Sequence, residues 1–312
     1  MNKWKEFCDT HLRNTRKWTD FCVLAAVLCF VLIEIGQLIG YVAESLFTGG
    51  QEVNPVVEIC WMYFSFFGIW IVLILLMLLK GNRPMFHFLA PNKEKLGNNW
   101  RGILWGIGIG FGMNAFCALV SIALKDIHIV FDVFEPLTLL MIFFCVLVQS
   151  GAEELVCRLY LLTKLTRRYK SVWFCIVANS VLFSALHLFN PGINPCAIVQ
   201  IIEVGVLFSI MTLFYDSFWA ACFAHAAWNF TQNILFGLPN SGIVSPYSMF
   251  VLDAARNGLC FDTEFGIEGA WGTCVVLAAV IAVLCVKVVK NNMQAKDIWA
   301  EREKEIAETQ AQ

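Results

Sequence analysis

LTLLMIFFCVLVQSGAEELVCRLYLLT, residues 137–163, is a helix-length apolar run broken by two acids and one arginine. At 1.5 Å per residue its 27 residues reach about 40 Å, more than the roughly 30 Å of a bilayer's hydrocarbon core. Working outward, seven further stretches have the length and apolarity to span: 20–42, 58–79, 102–124, 171–189, 195–215, 217–237 and 269–289. Of the 312 residues, 59% are hydrophobic and 15% charged, where a soluble domain carries about 25% charged residues. A water-soluble core of this size does not hide so much apolar surface. The reading is therefore an all-α fold, a polytopic membrane helix bundle of about eight transmembrane helices, and it excludes a secreted or cytosolic protein.

Net charge is −2, so no global field recommends nucleic acid as a partner; the expected partner is the lipid bilayer. The placement of the cations is more informative. Five lie in the N-terminal tail (Lys3, Lys5, Arg13, Arg16, Lys17), five precede the third span, four follow the fourth, and five close the chain. The intervening connections carry none or one, as in Lys125 and Arg256. This alternation predicts cytoplasmic termini in a plasma membrane. The first eighteen residues are polar and no cleavable signal peptide is expected. The organisation expected is a cytoplasmic tail over 1–19, one transmembrane domain over 20–290, and a charged cytoplasmic tail over 291–312.

The 13 cysteines are scattered singly with no Cys-x-x-Cys pair, and read as small hydrophobes in lipid-buried helices. Gly102, Gly106 and Gly110 recur every four residues inside the third span. A phosphate loop would need a strand, a turn and a helix start, whereas this spacing within an apolar helix marks close helix packing.

Ionisable residues inside a bilayer are costly and need a partner or a purpose. Glu153, Glu154 and Arg158 lie in the fourth span, Phe183 and His187 at the end of the fifth, and His225 and Asn229 in the seventh. Glu154 and Arg158 stand at i and i+4, the spacing of a carboxylate–guanidinium pair. That leaves Glu153 about 100° around the helix, free for another task. His225 and Asn229 share a face by the same spacing. A carboxylate, two imidazoles and an amide are the inventory that activates a water and stabilises an oxyanion. Each residue alone also reads as interhelical glue; it is their convergence on three helices that favours chemistry. Glu34 and Glu203 have no partner visible in the sequence.

At these positions the chain resembles the CAAX protease and bacteriocin-processing family of intramembrane endopeptidases, related to the type II CAAX prenyl endopeptidases. Its patterns E-E-x-x-x-R, F-x-x-x-H and H-x-x-x-N occur in order at Glu153/Glu154/Arg158, Phe183/His187 and His225/Asn229, so the protease core is expected over 137–237. The resemblance implies that Glu153 and His187 activate the hydrolytic water, that His225 and Asn229 form the oxyanion hole, and that Glu154 and Arg158 organise the site, with Phe183 supporting. It implies as substrate a peptide or a lipidated, membrane-associated protein. No cofactor is required by these residues. If a zinc ion takes part, Glu153, His187 and His225 are its ligands, although no H-E-x-x-H helix is present. The competing reading is a scaffold of the same fold, a bacteriocin-immunity or regulatory protein that binds a membrane partner without cutting it.

Overall fold

The computed structural model describes residues 3–311. In chain order the helices are α1 (Lys3–His11), α2 (Cys22–Thr48), α3 (Pro55–Phe64), α4 (Phe67–Leu78), α5 (Trp100–Ala123) and α6 (Pro136–Glu154). They continue as α7 (Leu162–Arg168), α8 (Val172–Ala185), α9 (Pro195–Leu213), α10 (Phe218–Asn229), α11 (Trp271–Lys290) and α12 (Ala300–Ala311). Side-chain oxygens punctuate the rods. Asn54, Asn99, Ser171 and Asn194 each accept a backbone N–H at the start of α3, α5, α8 and α9, and Pro55, Pro136 and Pro195 open their helices, where a missing N–H costs nothing.

α6 runs without a break through a π-helical stretch, Leu155–Leu161, into α7. This rod is the axis of the molecule: every residue from Leu155 to Arg167 is buried. The outer helices invert the soluble pattern. On α2, Val23, Val27, Val31, Leu38 and Leu46 face outward, as lipid-facing surfaces do. α5 and α10 pack backbone to backbone. A Cβ on Gly106 would strike the Ala220 carbonyl and one on Gly110 the Ala224 carbonyl, so the four-residue glycine spacing serves close helix approach.

Six of the eight expected spans are helices long and apolar enough to cross a membrane: α2, α3–α4, α5, α6–α7, α9 and α11. The other two differ from expectation. The fifth, expected over 171–189, is a helix of only 14 residues ending at Ala185, so His187 lies in the turn beyond it. The seventh, expected over 217–237, is α10 followed by a π-helical stretch, Phe230–Leu235. An antiparallel ribbon also departs from a purely helical chain. β1 (Ile127–Phe131) pairs with β2 (Phe250–Ala255), Ile127 opposite Ala255 and Phe131 opposite Phe250.

The tails are part of the fold. Asp20 receives both Nε and Nη2 of Arg167, at 2.6 and 2.5 Å, and Lys164 stands 3.6 Å from it. Trp299, fully buried, lies 4.7 Å from the Arg167 guanidinium and donates to the Thr163 carbonyl at 2.9 Å. Arg13 pairs with Asp297 at 2.6 Å. The segment after α11 straps the ends of α7 and the N-terminal tail together before α12, a surface helix with no buried residue, begins.

Candidate active site

α6 presents Gln149, Glu153 and, from its last residue, Glu154 toward α10, which presents His225 and Asn229. Glu154 and Arg158 are both fully buried and joined at 3.0 Å. Arg158 has little other polar company: its guanidinium carbon lies 4.3 Å from the centre of the Phe183 ring and 5.3 Å from that of Phe208. The ring faces supply negative potential where hydrogen-bond acceptors are lacking. Phe183 also meets His187 edge-on at 4.8 Å. One ring thus sits between the ion pair and the imidazole that follows it four residues later.

Tautomers follow from the acceptors. The Nδ1–H of His225 donates to Glu154 Oε1 at 2.9 Å, and that of His187 donates to the Phe183 carbonyl at 3.0 Å. A carboxylate and a carbonyl only accept, so each imidazole keeps Nε2 for the cavity. His225 Nε2 stands 3.8 Å from Glu153 Oε2. Glu153 is the more open of the adjacent acids, with 21% of its side chain exposed against 0% for Glu154.

The other amides complete a chain. Gln149 Nε2 donates to Glu153 Oε1 at 2.5 Å. Asn229 Nδ2 donates to Gln149 Oε1 and to Ser150 Oγ, both at 3.3 Å. Asn240 Nδ2 donates to Asn229 Oδ1 at 3.3 Å and to Glu268 Oε1 at 3.2 Å. Glu268 further accepts from Trp228 Nε1 at 3.0 Å and from the backbone N–H and hydroxyl of Ser241 at 2.7 and 3.0 Å. Burial pushes the Glu268 carboxyl above the ordinary range, against the pull of these donors.

Glu153, His187, His225, Asn229, Asn240 and Glu268 all border one cavity of about 550 Å³, a volume typical of sites for small molecules or peptide segments. The rest of its wall is mostly apolar, with Phe30 and Ile33 of α2, Tyr63 and Phe66 on the α3–α4 side, and Val204 and Leu207 of α9, interrupted by Gln37, Asn190 and Gln200. Glu34 also borders it, whereas Glu203 does not. Glu203 lies half-buried on α9 with Oε2 lacking a hydrogen-bond partner among the described residues. The remaining histidines with side chains in view of carboxylates are elsewhere: His87 pairs with Asp216 and His128 with Asp253, each at 3.0 Å.

Among the described residues no three His, Cys, Asp or Glu side chains group closely enough to hold a metal ion. Glu153, His187 and His225 border one cavity but do not converge as a ligand set. Sequence reasoning missed Gln149, Asn240, Ser241 and Glu268. Gln149 was within reach, four residues before Glu153 and buried in an apolar run. Glu268 was not, because nothing in the long connection between the last two spans signals which polar residue folds inward.

No match was found among curated proteins or among solved structures. Residues 135–231, about a third of the chain, match a family model described as type II CAAX prenyl endopeptidase Rce1-like. That segment begins at the start of α6, ends just past Asn229, and holds all three motifs. Through it this segment of the chain, an integral membrane protein, is similar to the type II CAAX prenyl endopeptidases.

Proposed function

We propose that the protein is an intramembrane endopeptidase that hydrolyses a peptide bond in a membrane-associated or lipidated substrate, using a carboxylate-activated water. The observation that carries this reading is the split between the two adjacent acids. Glu154 is consumed by Arg158 and His225, while Glu153 faces the cavity with one oxygen on Gln149 and the other 3.8 Å from His225 Nε2. An acid held for structure alone needs no such neighbour.

In this reading Glu153 takes a proton from a water held between it and the imidazoles. The oxygen of that water bonds to the scissile carbonyl carbon, and the carbonyl π electrons move onto oxygen. Donors from His225 and Asn229 meet the developing oxyanion. His225, protonated on both nitrogens from solvent before the water is activated and with Glu154 on Nδ1 to balance its charge, presents Nε2–H to the oxyanion and keeps that proton through the step. Collapse of the adduct breaks the C–N bond, and the leaving amine takes the proton held on Glu153, with His187 Nε2 as the second acceptor within the cavity. The apolar walls on α2, α3–α4 and α9 suit a lipidated or membrane-inserted segment.

The test is incubation of the purified protein with a diverse peptide library that includes farnesylated C-terminal peptides, with and without a chelator, followed by mass spectrometry. Cleavage that survives the chelator is expected. Cleavage abolished by the chelator and restored by zinc would replace the carboxylate mechanism with a metal-dependent one, and no cleavage of any member would favour the scaffold reading.

A further inference from the structure

The site contains a run of hydrogen bonds with a fixed direction, and it starts outside the three motifs. Glu268 lies in the single turn Ile267–Gly269 just before α11 and is 6% exposed. Its four donors are Trp228 Nε1, Asn240 Nδ2 and the N–H and hydroxyl of Ser241. The indole and the backbone amide only donate, so the carboxylate is fixed as an acceptor. The Asn240 amide must then turn its nitrogen to Glu268. Its second hydrogen goes to Asn229 Oδ1. With Oδ1 held, Asn229 turns its own nitrogen to Gln149 Oε1 and Ser150 Oγ; Asn229, Gln149 and Glu153 line the same cavity, and an oxyanion there takes one of these two hydrogens in exchange. Gln149 passes the direction on, its nitrogen donating to Glu153 Oε1. Two carboxylates thus terminate a run of three amides: Asn240 donates to both sides, and from it the donors run through Asn229 and Gln149 to Glu153.

We infer that Glu268, acting through Asn240, is a positioning residue that sets which end of the Asn229 amide faces the reacting carbonyl. The inference rests on the proteolytic reading above, and concerns residues that no motif of that reading contains. An amide is nearly symmetric in shape, so packing alone does not choose between its oxygen and its nitrogen. Neighbours of fixed polarity do, Glu268 through Asn240 on one side and Glu153 through Gln149 on the other, and of the two carboxylates only Glu268 keeps its charge while Glu153 takes the proton of the water. An Asn229 turned the other way offers an oxygen lone pair to a developing oxyanion, which repels instead of stabilising. Loss of one oxyanion donor costs about 10²–10³ in kcat. A donor that is turned for part of the time costs less, about tenfold to a hundredfold.

The test compares wild type with Glu268→Gln, Asn240→Asp and the double variant in detergent, reading kcat, KM and melting temperature on a peptide that the wild type cleaves. Asn240→Asp is nearly isosteric but has only acceptors, so it draws the Asn229 nitrogen away from the cavity. Each single variant is expected to lose kcat by about tenfold to a hundredfold, with KM within about threefold of wild type. The double variant puts an amide donor at position 268 opposite a carboxylate acceptor at position 240. It re-forms the tether to position 240 at the expense of the Trp228 Nε1 bond to the same site, and so recovers part of the melting temperature, yet leaves the polarity at Asn229 reversed. Its kcat is therefore expected to stay low. Recovery of kcat together with melting temperature would reduce Glu268 to a tether and overturn the inference, as would wild-type kcat in either folded single variant. Should a single variant fail to fold, the other and the double still decide. A wild type that cleaves no peptide overturns the proteolytic reading itself, an outcome distinct from cleavage that ignores positions 240 and 268.

Discussion

Arg158 condenses the energetics of the site at the scale of one residue. It is fully buried, makes one hydrogen bond to Glu154, and leaves Nε and Nη2 facing aromatic rings and not acceptors. Removing one member of a buried pair leaves the other charge uncompensated, at a cost of about 3–5 kcal/mol, whereas replacing both by uncharged groups of similar size is often near neutral. Arg158→Ala is accordingly expected to lower the melting temperature sharply, and Glu154→Gln with Arg158→Met to recover most of it. Equal melting of the two variants, followed by circular dichroism in detergent, would mean the pair contributes nothing. This pair was legible because a helix places i and i+4 together whatever surrounds it. The role of Phe183 was not: its spacing to His187 is visible in the chain, but its seat under a guanidinium from another helix depends on packing between helices.

Elements position these residues through two features of different legibility. The π-helical stretches begin at Leu155, one residue after Glu154, and at Phe230, one residue after Asn229. Such irregularity in a helix is common at functional sites, and no local sequence signal announces it here, because it answers to tertiary packing. The glycine spacing on α5 was readable, and its consequence is testable. Gly110 lies under the Ala224 carbonyl, next to His225, while a Cβ on Gly108 meets nothing within 4 Å. Gly110→Leu is expected to push α10 away, costing at least the roughly 1–3 kcal/mol of an overpacked core and most of the activity. Gly108→Leu, on the outward face of the same helix, is expected to change neither. Thermal melting and peptide turnover of the two variants side by side would show it; equal damage from both would deny that α5 sets the position of α10.

Over the whole molecule the two ends are built differently. At one end the strap of Trp299, Asp297 and Arg13 closes over the Asp20–Arg167 pair; at the other, the connections carrying His187, Asn240 and Glu268 border the cavity. We propose, from the positive charge in the tails, that the strap is cytoplasmic; the connections that border the cavity then lie on the opposite side. Trp299→Ala is expected to cost about 3–5 kcal/mol of stability and to leave KM of the folded fraction unchanged, since no tail residue borders the cavity. The bundle of apolar rods was readable from composition and run length; the strap was not, because a charged tail carries no sign of where its one tryptophan will land. All of this positions Glu153, and the most direct measurement is the turnover of Glu153→Gln against wild type on one cleaved peptide, with both proteins shown folded by melting. The variant keeps the shape and the Gln149 contact but cannot take a proton from water. A fall in kcat of about 10²–10⁴ is predicted, and turnover at the wild-type rate would contradict the account.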